Sequence, residues 1–547
     1  MKYSIDSMIM RRNRVFGFGW VFHPEETISS ISLEITLTSG KAVLLPITYN
    51  KLREDVATAF PDQSNARQAG FFLYSGWSGS EADQATLIVI ASSGKTFRLA
   101  VPFINLRPSD VSNVSVKRSF STSMLKGWHL MREGRVTRLH QKARNLLVEK
   151  CKQYANPLKK HSDLFKLIDN ELVRAKSSKT LLLIDHSLGG GANHYRERLI
   201  DARLKNAQSV FLFTYYVASL QYVLEIHTIH QKRRFPIDGI DVLFSLIEEF
   251  SVDEIFYNDA VSFDRPENVP DFLTAICRRR DILLTVAIHD YFSICPSQFL
   301  LNKNERYCGI PDTNICATCL PKNNEGFATL FEAADITVWR KKWGECLERA
   351  DRILCFSNSS KTLLRRAYPR LAGGKIEVCP HSVMYLPLRQ PRIASKTQLH
   401  LGVVGAINVH KGARVIRTLA EEIISRGIEV HITIIGSIEL ACDSRVVSET
   451  GPYEHAQLVE LIEKTGVNLF FLPSICPETF SYVTQELILL NMPVACFDLG
   501  APAERLCDYP RGKVISFANA SEVLDALLDF HAEQKDVCVF NISEVGI

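Results

Sequence analysis

The sequence predicts an α/β protein with two Rossmann-like, doubly wound domains that face a cleft, preceded by an all-β sandwich and a basic helical linker. Three observations predict this class: short alternating apolar runs at the start, a strongly basic helical stretch after them, and a long remainder in which buried strands alternate with amphipathic helices. The domain boundaries predicted from these changes of pattern are 1–112, 113–178, 179–385 and 386–547.

Length and composition limit the classes to which the chain can belong. With 547 residues, 46% of them hydrophobic, it can bury several cores, enough for about three or four domains. A net charge of +4, from 64 basic and 60 acidic residues, gives no reason to expect a nucleic-acid partner. No apolar run approaches the roughly 20 residues that span a bilayer, and the start "MKYSIDSMIMRRNRVFGFGW" lacks the apolar core of a signal peptide. We therefore expect a cytoplasmic protein.

The first domain, 1–112, has the pattern of a β sandwich. Runs such as "ISSISLEITLTSG" and "ATLIVIASSGKTFRLAVPF" alternate apolar with polar residues between Gly, Ser and Asp turns. The aromatic residues of "GFGWVFHP" and "GFFLYSGW" are expected to pack in the core or in turns, with a sugar-stacking face as the alternative. No catalytic constellation occurs here, so we interpret this domain as an accessory module.

The segment 113–178 is predicted to be helical and is basic. Fourteen Lys and Arg residues face five acidic residues between Lys126 and Lys179. One interpretation is a solvated linker helix. The other is a peripheral contact with the inner face of the cell membrane, where each basic residue would add about 1 kcal/mol of attraction to anionic lipids.

Two series of strand and helix units follow the linker. The first begins with "KTLLLIDHSLGGGANHYRERLIDARL" and the second with "LHLGVVGAINVHKGARVIRTLAEEI". Each predicts a parallel sheet covered by helices on both faces, and ligands of such sheets bind outside the carboxyl ends of the strands. We therefore expect a ligand cleft between the two halves.

Two carboxylates in the second half are spaced for a nucleotide sugar. In "PSICPETFSYVTQELILL", Glu478 precedes a predicted helix and Glu486 lies about 12 Å further along its axis. The backbone amides at the start of that helix offer an anion site for a diphosphate; they belong to Thr479, Phe480, Ser481 and Tyr482. Each carboxylate can accept hydrogen bonds from two neighbouring hydroxyls, so one is expected near the sugar and the other near the ribose.

From about residue 180 to 535, the chain resembles the retaining glycosyltransferases of family 4, which have the two-domain GT-B fold. The most specific match is Glu478 to Glu486, which has the spacing of the family's E-x7-E motif. The resemblance implies that Glu478 contacts donor sugar hydroxyls and that Glu486 binds the ribose. "GAINVHKG" is similar to the loop whose Lys, here Lys411, binds the donor diphosphate. The family often has an Arg where this chain has Ala406, so help from Asn408 or His410 is expected.

The first half carries two further matches to the family. "HSLGGGANHY" resembles the loop in which Gly189, Gly190 and Gly191 let the backbone approach a bound diphosphate or acceptor. "VAIHDYFSICP" resembles the segment whose His, here His289, contacts the donor sugar near the reacting centre; the role of Asp290 beside it stays open. The resemblance implies that His289, Glu478 and Lys411 form the catalytic set and that no metal or other cofactor is required for catalysis.

The cysteines pose a separate question. Fourteen of them are scattered, many in apolar runs such as "RILCFS", which indicates reduced core residues and no disulfide framework. One stretch differs, because it holds four cysteines close together in sequence, and the last two have the C-x2-C spacing of zinc ligands. The four cysteines are Cys295, Cys308, Cys316 and Cys319. A structural zinc ion and a set of reduced cysteines in a packed loop are the two alternatives.

The segment "HDY…CP…YCG" is similar to segments of bacterial glycosyltransferases that build surface polysaccharide. The resulting hypothesis is a retaining transferase that moves a sugar from a nucleotide-diphosphate sugar to a glycan or lipid-linked acceptor. The alternative from another class is an inactive GT-B protein that binds glycan or acts as a scaffold. A nucleotide-sugar epimerase shares the architecture, and the motif context argues against it.

Overall fold

The structure, a computed structural model, describes residues 1–51, 53–105, 161–175, 179–279, 282–323, 325, 327–331, 333–386, 389–392 and 398–534. The chain divides into two compact units. The first comprises Met1–Phe356 and Lys361–Cys379, and the second Ser357–Ser360 and Pro380–Ile547. The predicted basic linker, 113–178, lies outside the described residues except for one helix, His161–Ala175.

The N-terminal module consists of two packed β-sheets. Its strands are β1 (Lys2–Arg11), β2 (Arg14–Phe22), β3 (Ile28–Leu37), β4 (Ala42–Pro46), β5 (Thr48–Lys51), β6 (Gly70–Gly76), β7 (Ala82–Ala91), β8 (Thr96–Ala100) and β9 (Ile104–Asn105), with one helix, α1 (Glu54–Ala59). The sheet orders are β5-β6-β2-β1-β9 and β4-β3-β7-β8, and only β1 and β9 pair in parallel. Alternate residues of β3, such as Leu33 and Ile35, are fully buried between the sheets. This confirms the predicted all-β sandwich.

The module is fused to the domain that follows it. On the outer face of its first sheet, Phe16, Phe18 and Tyr74 belong to the same hydrophobic core as the first α/β domain. The Tyr74 hydroxyl donates to the carbonyl oxygen of Ser262 at 2.8 Å, and Arg14 Nε donates to the carbonyl oxygen of Asp264 at 2.8 Å. These aromatic residues therefore pack in a core, as the first interpretation predicted, and they are not open for sugar stacking.

The first α/β domain has an eight-stranded sheet in the order β13-β12-β11-β10-β14-β15-β16-β17. Its strands are β10 (Thr180–Ile184), β11 (Ser209–Tyr216), β12 (Gln221–His227), β13 (Lys232–Ile237), β14 (Glu254–Tyr257), β15 (Leu283–Ala287), β16 (Arg352–Cys355) and β17 (Ile376–Val378). The helices are α2 (His161–Ala175), α3 (Gly191–Lys205), α4 (Val242–Glu249), α5 (Asn268–Arg279), α6 (Thr313–Cys319), α7 (Ile336–Arg349) and α8 (Asn358–Ala367). Six strands are parallel, and β12 and β13 form an antiparallel extension at one edge.

The second α/β domain has a six-stranded parallel sheet in the order β20-β19-β18-β21-β22-β23. Its strands are β18 (His400–Ile407), β19 (His431–Ile438), β20 (Val447–Glu449), β21 (Leu469–Leu472), β22 (Val494–Phe497) and β23 (Gly512–Ile515). The helices are α9 (Ala413–Arg426), α10 (Leu458–Thr465), α11 (Tyr482–Leu489), α12 (Gly500–Leu506) and α13 (Ala520–Gln534). Separate apolar clusters cover the sheet, as the buried strand sequences require.

The predicted fold class, two doubly wound α/β domains after an all-β sandwich, is confirmed. Within the described residues, no helix combines the length and the apolar character needed to cross a membrane.

Candidate active site

Two loops at the carboxyl ends of neighbouring strands pack together in the second domain. One follows β18 and carries Lys411, and the other follows β21 and carries Glu478. Gly412 has a φ of 89°, and a Cβ placed there would lie 2.1 Å from the carbonyl oxygen of Pro473. Ile475 N also donates to the carbonyl oxygen of His410 at 3.0 Å. Only glycine permits this approach, so the close packing of the two loops depends on Gly412.

The Lys411 side chain has no ion-pair partner among the described residues. Its backbone N–H donates to Asn408 Oδ1 at 3.1 Å, so the Asn408 side chain folds the loop. Within the described part of the chain, the Lys411 ammonium makes no ion pair with a carboxylate. An ammonium held at a strand end in this way is available to an anionic ligand.

Glu478 is half-buried and has a single neutral partner. The Ser474 hydroxyl donates to Glu478 Oε1, and no cation of the described residues pairs with this carboxylate. Its backbone is fixed by α12, since Ala501 N donates to the Glu478 carbonyl oxygen at 2.8 Å. Gly500, with a φ of 63°, would place a Cβ 2.6 Å from the Glu478 nitrogen and oxygen. The loop therefore depends on glycine at position 500.

The helix after Glu478 begins later than the sequence indicates. It starts at Tyr482, so Thr479 and Phe480 precede it, and Ser481 has a left-handed φ of 63°. Thr479 and Phe480 are buried, and the Arg505 guanidinium lies 3.8 Å from the centre of the Phe480 ring. Burial lowers the pKa of Arg505 to about 10. The packing of Phe480 thus overrides the helical tendency of these residues.

Glu486 lies inside α11 and is fully buried. Its Oε1 accepts a hydrogen bond from the Tyr385 hydroxyl, and His455 Nδ1 lies 2.9 Å from the same oxygen. The hydrogen bond to Glu486 raises the pKa of His455. Neither partner is among the residues that the sequence predicts for the site. No spacing signal could have found them, because they come from segments that precede β18 and α10.

In the first domain, His289 and the glycine loop are brought together by Asn258. His289 Nε2 lies 2.8 Å from Asn258 Oδ1, and Asn258 Nδ2 donates to the carbonyl oxygen of Ala192 at 3.0 Å. The His289 ring also stacks on Phe356 at 4.4 Å. Three strand ends, those of β10, β14 and β15, therefore meet at this edge. Asn258 directly follows the strand "EIFY", so the carboxyl-end rule could have identified it.

The three predicted glycines lie at the start of α3. Gly189 and Gly190 have φ values of 90° and 85°, and Gly191 is the first helical residue. Gly189 N donates to Asn193 Oδ1 at 2.6 Å, and a Cβ at Gly190 would meet nothing within 4 Å. Gly190 is thus required for its backbone conformation and borders open space.

Two acids lie beside His289, the buried Asp259 and the half-buried Asp290. Burial is the largest cause that raises the pKa of Asp290 to about 7, and it also raises the pKa of Asp259 well above its usual range. Asp259 Oδ2 lies 3.5 Å from His186 Nε2. Asp290 Oδ1 accepts from Phe292 N at 2.8 Å, which fixes the start of the following loop. The two carboxyls therefore hold at least one proton near neutral pH.

The structure gives no support to a zinc ion at the four cysteines. Among the described residues, no group of three or more His, Cys, Asp or Glu side chains is arranged to hold a metal ion. The Cys316 sulfur lies 3.6 Å from the carbonyl oxygen of Pro311, and Cys319 Sγ accepts from Lys303 N at 3.3 Å. Burial raises the pKa of Cys295 to about 12, which disfavours the thiolate. All cysteines of the described residues are free.

No protein-family model and no curated protein matches the chain. Several solved structures resemble it. Sucrose-phosphate synthase from Thermosynechococcus elongatus is 14% identical, with 65% of this chain and 90% of that chain covered and a TM-score of 0.45. HepE from Anabaena, in complex with UDP and glucose, is 15% identical. The match covers 65% of this chain and 90% of that chain, with a TM-score of 0.39. The catalytic domain of starch synthase IV from Arabidopsis thaliana, bound to ADP and acarbose, is 11% identical, with 66% and 93% covered and a TM-score of 0.41. At such identities and TM-scores the likeness establishes neither family nor activity for this chain.

Proposed function

We propose that the protein is a retaining glycosyltransferase of the family 4 type. It would move a sugar from a nucleotide-diphosphate sugar to a hydroxyl of a glycan or lipid-linked acceptor in surface polysaccharide synthesis. One observation carries this proposal. The second domain holds Lys411, whose ammonium has no carboxylate partner among the described residues, and Glu478 on two loops that pack closely at glycine, and it holds Glu486 inside the helix α11 that follows Glu478. These groups match the diphosphate, the sugar hydroxyls and the ribose of one ligand class.

In the proposed mechanism, Lys411 and the N-terminus of α11 bind the diphosphate, which is the leaving group. The bond between the anomeric carbon and the phosphate oxygen breaks, and its electron pair stays on the diphosphate. The acceptor oxygen forms the new bond on the same face, and its proton passes to the departing phosphate oxygen. Fixed positive charge at the leaving group stabilises the transition state, because it needs no reorganisation during the reaction. Glu478 would hold the sugar hydroxyls.

In the first domain, contact of His289 with the donor sugar is a proposal that rests on the family resemblance. Its support is the hydrogen bond to Asn258, which fixes the imidazole beside the glycine loop at the carboxyl end of the sheet. Contact between the basic segment 113–178 and a membrane is likewise a proposal, since most of that segment lies outside the described residues.

The test is a thermal-shift screen of the full chain against UDP-, GDP-, dTDP- and CMP-sugars, with release of free nucleotide followed for every compound that stabilises the protein. Glu478→Gln is expected to bind nucleotide and release none, while Glu460→Gln, an exposed change in α10, retains wild-type release. Wild-type release by Glu478→Gln would remove the assigned role. Binding of a donor without turnover would favour the scaffold alternative. The anomeric configuration of the product, read by NMR, tests retention.

A further inference from the structure

The buried carboxylate of Glu486 is satisfied on one oxygen only. Both the Tyr385 hydroxyl and His455 Nδ1 approach Oε1. The second oxygen, Oε2, is buried and accepts no hydrogen bond within the described part of the chain. A buried acceptor without a partner is destabilising, and more so when it is charged. A hydroxyl of a bound ligand could donate the hydrogen bond that this oxygen lacks.

Another buried glutamate of the same protein shows the contrast. Glu225 is 1% exposed and is fully partnered, with Lys232 at 2.5 Å and His227 at 3.2 Å from Oε2, and with Arg234 at 2.5 Å from Oε1. This carboxylate has the charged partners on both oxygens that a structural ion-pair network requires. Among the described residues, Glu486 has no such partner on Oε2.

The two partners of Glu486 come from different segments. Tyr385 precedes β18, and His455 lies in the single helical turn His455–Gln457 before α10. Their ring centroids are 4.9 Å apart. The ring of Tyr453 lies 6.4 Å from that of His455. Neither partner follows from the spacing of the two glutamates.

We propose that Tyr385 and His455 are positioning residues that hold Oε1 of Glu486 and thereby present Oε2 to a ribose hydroxyl of the nucleotide donor. This inference rests on the proposed function. It adds a physical reason why the site would recognise the ribose of the nucleotide. A carboxylate fixed on one oxygen discriminates against a nucleotide that lacks the hydroxyl, because the analogue leaves a buried charge without its partner. Recognition of ribose against 2′-deoxyribose therefore depends on residues outside the helix that carries Glu486.

The experiment measures the dissociation constants of the full chain for UDP, GDP, ADP and CDP, and for the 2′-deoxy form of whichever diphosphate binds. We expect the wild type to prefer the ribonucleotide by about ten-fold or more, as one hydrogen bond to a charged group provides. In Tyr385→Phe and in His455→Gln this preference is expected to fall to about three-fold or less, mainly through weaker binding of the ribonucleotide.

Two matched variants serve as controls. Tyr453→Phe removes a hydroxyl that does not bond to Glu486, and His431→Gln changes a histidine that contacts Ser448 in the outer strands. Both should keep the wild-type preference. An unchanged preference in Tyr385→Phe and His455→Gln, with melting temperatures near that of the wild type, would overturn the inference, as would equal binding of both nucleotides by the wild type. Failure of every diphosphate and every nucleotide sugar to bind the wild type would instead reject the proposed function.

Discussion

Replacing Gly500 by alanine tests whether close backbone packing holds the Glu478 loop. The new Cβ would lie 2.6 Å from two backbone atoms of Glu478, and ordinary contact begins near 3.4 Å, so the loop must move by about 0.8 Å. The left-handed φ of 63° adds about 1–2 kcal/mol of strain, and overpacking adds about 1–3 kcal/mol. Since a misplacement of about 1 Å can cost a hundred-fold in rate, we expect a large loss of turnover.

Gly427 provides the matched control. It has nearly the same φ, 62°, at the end of α9, and a Cβ there would meet nothing within 4 Å. Gly427→Ala therefore carries the strain without the clash. By calorimetry, its melting temperature should fall by about 2–8 °C, at about 2–4 °C per kcal/mol, and that of Gly500→Ala should fall further. Nucleotide binding and turnover should persist in Gly427→Ala and fail in Gly500→Ala. Equal effects of the two changes would refute the reasoning.

Three other perturbations have defined outcomes. Asp290 keeps its proton in the folded protein up to about pH 7, whereas the unfolded chain loses it near pH 4, so the melting temperature should fall as the pH rises between these values. Asp290→Asn should reduce that slope, with Asp259 still contributing because its pKa is also raised, and the exposed Asp312→Asn should not; a slope unchanged from the wild type would mean that Asp290 does not contribute. Tyr74→Phe leaves the buried Ser262 carbonyl without its donor, a cost of about 1–3 kcal/mol, and an unchanged melting temperature would show that water replaces it. Lys411→Met should weaken nucleoside diphosphate binding by about ten-fold or more and reduce its salt dependence, whereas wild-type affinity would exclude a phosphate contact.

The sequence predicted the layers of the fold because buried strands, turn glycines and amphipathic helices are local signals. It also placed Glu478, Lys411 and the glycine loop at strand ends, where the chain must turn, and their roles stay predictions. The start of α11 could not be predicted in the same way. Ser481 takes its left-handed conformation where Phe480 packs under Arg505, a contact between distant segments.

The partners of the candidate site residues were harder to predict, for two different reasons. Tyr385 and His455 reach Glu486 from sequence positions that no periodicity connects, so only coordinates could reveal them. Asn258 and Asp259 follow a buried strand at the same sheet edge as His289, and applying the carboxyl-end rule to every strand would have found them. The antiparallel strands β12 and β13 depart from the parallel pattern, because a direct turn links them to β11.

The shared core of the sandwich and the first α/β domain has a practical consequence for anyone who shortens this chain. A fragment that begins at Lys179 would expose the rings of Tyr215 and Phe327, which Tyr74 now covers at centroid distances of 6.5 and 6.1 Å. Uncovered apolar surface of this kind promotes aggregation. A shortened chain should therefore keep residues 1–105 together with the first α/β domain, whose apolar core they share.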